Sequence, residues 1–163
     1  MRLAFLLFTL IGFNTSFTQS TFEQEYQEEY DKRIQLEYIN GKYIPVDLDD
    51  CFKELLRISD PQGIEIFKLG DEQLVSRKLH FGLGKWMISN WSFYEGSRLS
   101  HYLKGLGIHH PDDMAQFIIV SFHRHLNGKE MRIEDRIQVF QEKRLKEQEE
   151  RLKAKTDTII NYN

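Results

Sequence analysis

One segment limits the folds open to this chain more than any other. His110-Pro111-Asp112-Asp113 opens it, Asn127-Gly128-Lys129 closes it, and Met114, Phe117, Ile118, Val120, Ser121, Phe122 and Leu126 lie between. Proline fits the first position of a helix, and acids suit its positive first turn. His123-Arg124-His125 places cations in the last turn, against the negative end of the dipole. The spacing predicts one long helix, apolar enough to be the central one. No alternating apolar and polar run appears anywhere to argue for strands.

The segments on either side repeat this pattern less strongly. Asp47 is a helix N-cap with Asp49 and Asp50 in the first turn, and Cys51, Phe52, Leu55, Leu56 and Ile58 follow at helical spacing until Ser59-Asp60-Pro61. Ile64 to Leu69 is a short apolar piece, and Gly70-Asp71 starts another short helix through Val75. In His80–Trp91 (HFGLGKWMISNW), Leu83, Trp86, Met87 and Trp91 fall near helical spacing, and the small Gly82 and Gly84 leave room for close backbone approach. Ser97 caps a helix carrying Leu99, Tyr102, Leu103 and Leu106, which Gly105 and Gly107 close. Residues 133–155 contain no Gly or Pro. Ile133, Ile137 and Phe140 pack, while beyond them Glu142–Lys146, Glu147–Arg151 and Glu149–Lys153 pair at i,i+4. The expected fold is all-α, a small compact domain of about five or six helices over residues 43–140. Residues 141–163 form a projecting charged helical extension and tail.

The N-terminus reads as an address. Met1-Arg2 is positive, Leu3 to Phe13 is apolar, and Asn14 to Ser20 is small and polar. That order describes a secretory signal peptide, and the run is shorter than the roughly 20 residues of a membrane span. Ser16 and Thr18 place cleavage before Gln19, giving a signal peptide over residues 1–18; Thr18 and Ser20 would place it before Thr21. The remaining chain is of single-domain length. It would be exported, periplasmic or secreted, with no membrane insertion once the signal is removed. Residues 19–42 form an N-terminal helical arm, with Phe22, Tyr26 and Tyr30 four apart on one face and Ile34 extending it. Asn40-Gly41 is a turn signal, and Tyr43 to Val46 runs extended.

With 22 basic and 25 acidic residues and a net charge of −3, the chain has no basic block, which argues against nucleic acid as the main partner. The single cysteine, Cys51, permits no intramolecular disulfide and reads as a small core residue beside Phe52. No G-x-S-x-G or Cys–His–Asn pattern supports nucleophilic catalysis. Gly82-Leu83-Gly84-Lys85 lacks the length, the Ser or Thr and the preceding strand of a phosphate loop.

Three groups of residues carry possible chemistry. His110 with Asp112 and Asp113 has the residue types of a small metal or acid–base site, which His80 or His101 would have to complete; the alternative is a helix cap with acids serving the dipole. No H-E-x-x-H or C-x-x-C spacing assigns a metal or another cofactor. His123 and Arg124 suit an anion or carboxylate pocket with Lys129 or Arg132, or else simply end the helix. The two groups are separated by about 13 residues, roughly 20 Å along a helix, so they cannot share one metal without help from another element. Trp91, Phe93 and Tyr94 either line a recognition groove or belong to the core.

Three blocks in order carry a resemblance: His80 to Trp91, then Gly107-Ile108-His109-His110-Pro111-Asp112-Asp113-Met114, then Ser121-Phe122-His123-Arg124-His125-Leu126-Asn127-Gly128. They resemble an uncharacterised bacterial family, a domain of unknown function common in Bacteroidetes-like bacteria, with F-G-L-G-x-W, G-I-x-H-P-D-D-M and S-x-H-R-x-L-N-G patterns. The likeness covers roughly Pro45 to Ile137. The sequence departs from it modestly at Ser92-Phe93-Tyr94. The resemblance implies an exported bacterial protein and brings no activity, cofactor or catalytic residue with it. Two functions are expected to compete. One is a binding or interaction module recognising a protein or peptide. The other is a metal-dependent hydrolase or other enzyme acting on cell-envelope material. An enzyme requires His110, Asp113, His123 or others to converge on one cavity; a binding module requires an exposed aromatic patch instead.

Overall fold

The computed structural model describes residues 22–161, with side chains to residue 156. The leader expected over residues 1–18 lies outside them. Helix α1 covers residues 22–33 and meets the domain only at its last turns. There the Tyr30 hydroxyl lies 3.1 Å from His101 Nδ1, the Lys104 ammonium sits 4.7 Å from the Tyr30 ring centre, and Arg33 Nε donates to Gly96 O at 3.1 Å. Gly96 has φ +97°, and a Cβ on it would approach the Tyr30 ring to 2.5 Å. Only glycine satisfies both demands. Phe22 and Tyr26, on the same stripe, remain exposed.

The Asn40-Gly41 turn produces a minimal hairpin. Strand β1 (Tyr38–Ile39) pairs antiparallel with β2 (Lys42–Tyr43), with Tyr38 opposite Tyr43. Both turn residues have positive φ, the requirement of a two-residue turn that matches strand twist. The hairpin delivers Ile39 and Ile44 to the core. Arg98 fastens it by donating from Nε to Ile44 O at 2.6 Å, with its guanidinium over the Tyr43 ring.

Helices α2 (Leu48–Ile58) and α3 (Pro61–Leu69) are capped by Asp47 and Asp60, whose carboxylates accept from the amides of Asp50 and Gly63. Asp71 caps α4 (Glu72–Leu79) in the same way. The helical path then continues without a break, where the sequence reads two separate segments, a short helix through Val75 and another within His80–Trp91. A π-helical turn at His80–Gly84 passes directly into α5 (Lys85–Asn90). Gly84 fits the crowding at this turn: a Cβ there would press on His80 Nδ1 at 3.2 Å and touch Ile119 Cδ1 at 3.6 Å. Gly82 has open space around it, so of the two glycines only Gly84 serves close approach. Helix α6 (Arg98–Gly105) carries a reciprocal Ser97–Ser100 capping box.

Helix α7 (Pro111–Leu126) is the central helix its sequence implies. Met114, Ala115, Phe117, Ile118, Ile119 and Phe122 are all buried, and the core forms around them from α2, α3, α5, α6 and the Trp91–Phe93 loop. Phe122 stacks between Phe52 and Phe67 at 5.8 and 5.6 Å. Cys51 is fully buried, and burial pushes its thiol well above the usual value, which suits a core residue rather than a nucleophile. Helix α8 (Ile133–Asn161) returns antiparallel along α7: Arg136 bonds to Phe117 O and Ser121, and Arg144 to Asp113. Ile133, Ile137 and Phe140 pack on the core, whereas Leu145 and Leu152 are exposed. The molecule is therefore a compact, mostly helical domain. No described helix is long and apolar enough to cross a membrane.

Candidate functional site

The aromatic group separates in the structure. Trp91 is 0 % exposed and Phe93 1 %, so both belong to the core and do not line a groove; Trp91 packs edge-on against Trp86 at 5.5 Å. The turn that carries them accompanies this placement. Helix α5 ends at Asn90, and the chain folds back through Ser92 at φ +52° with Phe93 N bonded to Ile88 O and both rings inward. Tyr94 alone, at 61 %, faces outward.

The polar candidates lie at opposite ends of α7. At the N-terminal end His110 caps the helix, its Nδ1 accepting from Asp112 N at 3.2 Å. Asp112 receives Lys85 Nζ at 2.7 Å and has His80 Nε2 at 3.2 Å, with His110 Nδ1 3.8 Å away. The Lys85 hydrogen bond first, and the charges of Lys85, His80 and His110 with it, hold the Asp112 carboxyl below its usual value against the opposing effect of burial. His80 is thus the residue that joins this end from elsewhere, carried there by the π-helical turn. Its Nδ1 is buried with no hydrogen-bond partner. Asp113, only 2 % exposed, turns the other way, onto Arg144 and Lys143 of α8. His110 and Asp113 do share a cavity of about 340 Å³, whose floor includes Ile108, Phe140 and Arg144. Among the described residues no group of three or more His, Cys, Asp and Glu is placed to hold a metal ion.

The C-terminal end is built differently. His123 is 2 % exposed; Nε2 donates to Gly70 O at 3.0 Å, and its ring meets Phe67 edge-on. Its Nδ1 has no hydrogen-bond partner and faces Glu72 Oε2 at 3.7 Å. His123 therefore braces the α3–α4 turn and is closed to ligand. Arg124, mostly covered, forks onto Glu72 Oε1 through Nε and Nη2, at 3.1 and 2.7 Å, while Nη1 donates to Glu130 O. Lys129 reaches Glu72 Oε2 at 3.5 Å. Burial alone would raise the Glu72 carboxyl. The Arg124 bond, the Arg124 charge and Lys129 outweigh it, so Glu72 stays below its usual value and ionised at neutral pH.

Beside this cluster, between α4, α7 and α8, lies a cavity of about 380 Å³. Arg77, Arg124 and Arg136 line it with one carboxylate, Glu72; Gln73 and Gln116 add amides, and Val120, Val139 and Phe140 form its apolar side. Arg136 reaches in from α8. Its Nη1 donates to Ser121 Oγ and Met131 O, its Nη2 to Phe117 O, and its guanidinium lies 4.3 Å from the Phe117 ring centre. All these acceptors are neutral. Burial, and then the charge of Arg124, lower its value to about 10, which leaves it cationic at neutral pH. The site is thus positive inside a chain of net charge −3. Sequence reasoning found Arg124 and named Lys129 and Arg132 as its companions. It missed Arg77 and Arg136, which lie 47 and 12 positions away and are brought in by α4 and α8. Arg132 instead bonds to Asp135 at the start of α8.

The chain matches the family described as Domain of unknown function (DUF6794) over residues 44–126, half of its length. That span runs from the residue after the hairpin to the end of α7 and excludes α8. No curated protein and no solved structure matches the chain.

Proposed function

The chain belongs to the DUF6794 family of domains of unknown function, and from that premise we propose that it is an exported binding module that recognises a protein or peptide. The single observation that carries this reading is the α4–α7–α8 cavity, where three guanidiniums meet one carboxylate beside an apolar wall. Binding sites combine such concavity with a few converging polar groups. The export part rests on the leader-like residues 1–18 and is checked by the N-terminus of the protein recovered from the cell envelope. It should begin at Gln19 or Thr21; recovery with residues 1–18 intact overturns it.

The test of the binding reading is a titration of the ¹⁵N-labelled full chain with a pooled library of acetylated hexapeptides. Amide shifts should concentrate at Gln73, Gln116, Val120 and Val139. Shifts elsewhere, or none, overturn it.

The competing reading, a metal-dependent hydrolase of envelope material, draws on the approach of His80 and His110 to Asp112. Against it, the Asp112 carboxylate is already engaged by Lys85, and Asp113 and His123 face away from that point. Elemental analysis of the chain purified without chelator, beside the His110→Ala, Asp113→Ala double variant, decides it. Stoichiometric metal that the double variant loses puts the hydrolase first.

A further inference from the structure

We infer that the group this cavity takes is a single carboxylate carried on an apolar body, held by Arg77 and Arg136 and packed against Val120, Val139 and Phe140. The inference rests on the reading of the cavity as the binding site and adds the chemistry of the ligand.

Charge bookkeeping comes first. Glu72 is absorbed by the fork of Arg124 and by Lys129. Arg77 bonds only to Gln73 O of its own helix, at 3.3 Å. Arg136 has five N–H donors; Nη1 serves two neutral acceptors and Nη2 one, so the Nε side is uncommitted. Two guanidiniums therefore line the cavity with no acid of the described residues paired to them. A guanidinium matches a carboxylate in planar, two-point fashion, more strongly than it matches neutral acceptors. The surroundings of Arg136 also act against its charge, burial first and Arg124 second, with Glu72 offsetting only part of this. An incoming anion favours the charged form.

Charge alone does not select the anion: the net field of the cavity is cationic and attracts a dianion about as much more strongly as its charge is greater, because the Coulomb energy scales with the product of charges. The selection comes from the apolar wall, which phosphate has nothing to cover and against which a strongly hydrated ion loses its water. The apolar body follows from the opposite wall. Val139 is 62 % exposed although it belongs to the packed half of α8, and with Val120 and Phe140 it borders the same cavity. A volume of about 380 Å³ sits at the small end of ligand sites, roughly 300–1,000 Å³, the size of one apolar residue with its carboxylate. The terminal residue of a peptide and a small apolar acid share this chemistry.

The experiment titrates the labelled full chain with four probes: N-acetyl-leucyl-phenylalanine, its C-terminal amide, 3-phenylpropionate and inorganic phosphate. The free acid should shift Gln116, Val120 and Val139, and the amide should bind at least ten-fold more weakly. Arg77→Gln, at an exposed position with one local bond, should weaken the acid at least three-fold and leave the amide unchanged. Phenylpropionate binding as well as the dipeptide assigns the site to small acids; dipeptide binding alone assigns it to peptide ends. Either result supports the carboxylate. Acid and amide binding equally at the cavity overturns the carboxylate and leaves the binding-site reading standing. Phosphate binding more tightly than the acid there overturns the carboxylate on an apolar body. Acid that shifts nothing, or shifts residues elsewhere, overturns the inference, and the pooled-peptide titration then reports separately whether the cavity binds at all.

Discussion

The two ends of α7 use similar residue types for opposite results. At the N-terminal end, each acid is matched: Asp112 with Lys85 and His80, Asp113 with Arg144 and Lys143. At the C-terminal end, cations exceed acids, and Glu72 serves Arg124 and Lys129 while Arg77 and Arg136 go without. A closed set of charges stabilises the fold; an open set is available to a ligand. The helix dipole runs the same way as both arrangements, favouring acids at the first turn and cations at the last. It does not decide which end is saturated. The neighbours from α4, α5 and α8 decide that.

The largest effect that would break this comparison is at Asp113. Asp113→Asn removes a buried anion bonded to Arg144 and Lys143. The partners keep some access to water, so the loss should be about 2–3 kcal/mol, the scale of hydrogen bonds to charged groups. Arg124→Gln at the other end leaves an acid that is 18 % exposed rather than 3 %, and should cost less, about 1–2 kcal/mol. Urea denaturation of both variants checks the order, and equal costs would mean that the two ends are alike.

Acid should weaken both ends together. Glu72 and Asp112 lie below their ordinary values of 4.5 and 3.8 in the fold. A carboxyl depressed in the native state adds stability that is present above its unfolded value and is lost as pH falls through the folded one. The urea midpoint should hold from pH 7 to about 5 and then fall, and each of Glu72→Gln and Asp112→Asn should flatten part of that fall.

A smaller effect would sharpen the comparison in ligand binding. Glu72→Gln frees a third guanidinium and removes the repelling charge, so inorganic phosphate should bind the variant several-fold more tightly than the parent. Asp112→Asn should gain nothing, because Lys85 beside it is an exposed single cation. Equal gains in a calorimetric titration would undo the distinction between the ends. The smallest effect is expected at Tyr94, the exposed member of the aromatic group. Tyr94→Ala should change stability by under about 0.5 kcal/mol and leave the dipeptide titration unaltered.

Helix positions were readable because capping is local. Asp47, Ser97 and His110-Pro111 mark the starts of α2, α6 and α7 where the structure has them. The passage from α4 through the π turn into α5 was not readable, since Gly82 and Gly84 look alike in sequence and differ only in what α7 presents to them. The same holds for the candidate residues. Trp91 and Phe93 carry no local sign of burial, which accompanies the reversal at Ser92. His110 as a cap was legible. His123 as a brace for Gly70 O was not, because its partner is 53 residues away.

The sequence by itself determined a helical class, a central helix with acids at one end and cations at the other, and the family. Periodicity, caps and motif order act over a few residues, so they survive in a one-dimensional record. Only the tertiary structure decided which aromatic rings face water, that His80 meets Asp112, and that Arg77 and Arg136 join Arg124 around a single Glu72. Those outcomes depend on which faces of α4, α7 and α8 oppose one another. Such opposition is a property of packing among helices distant in sequence, and no local pattern encodes it.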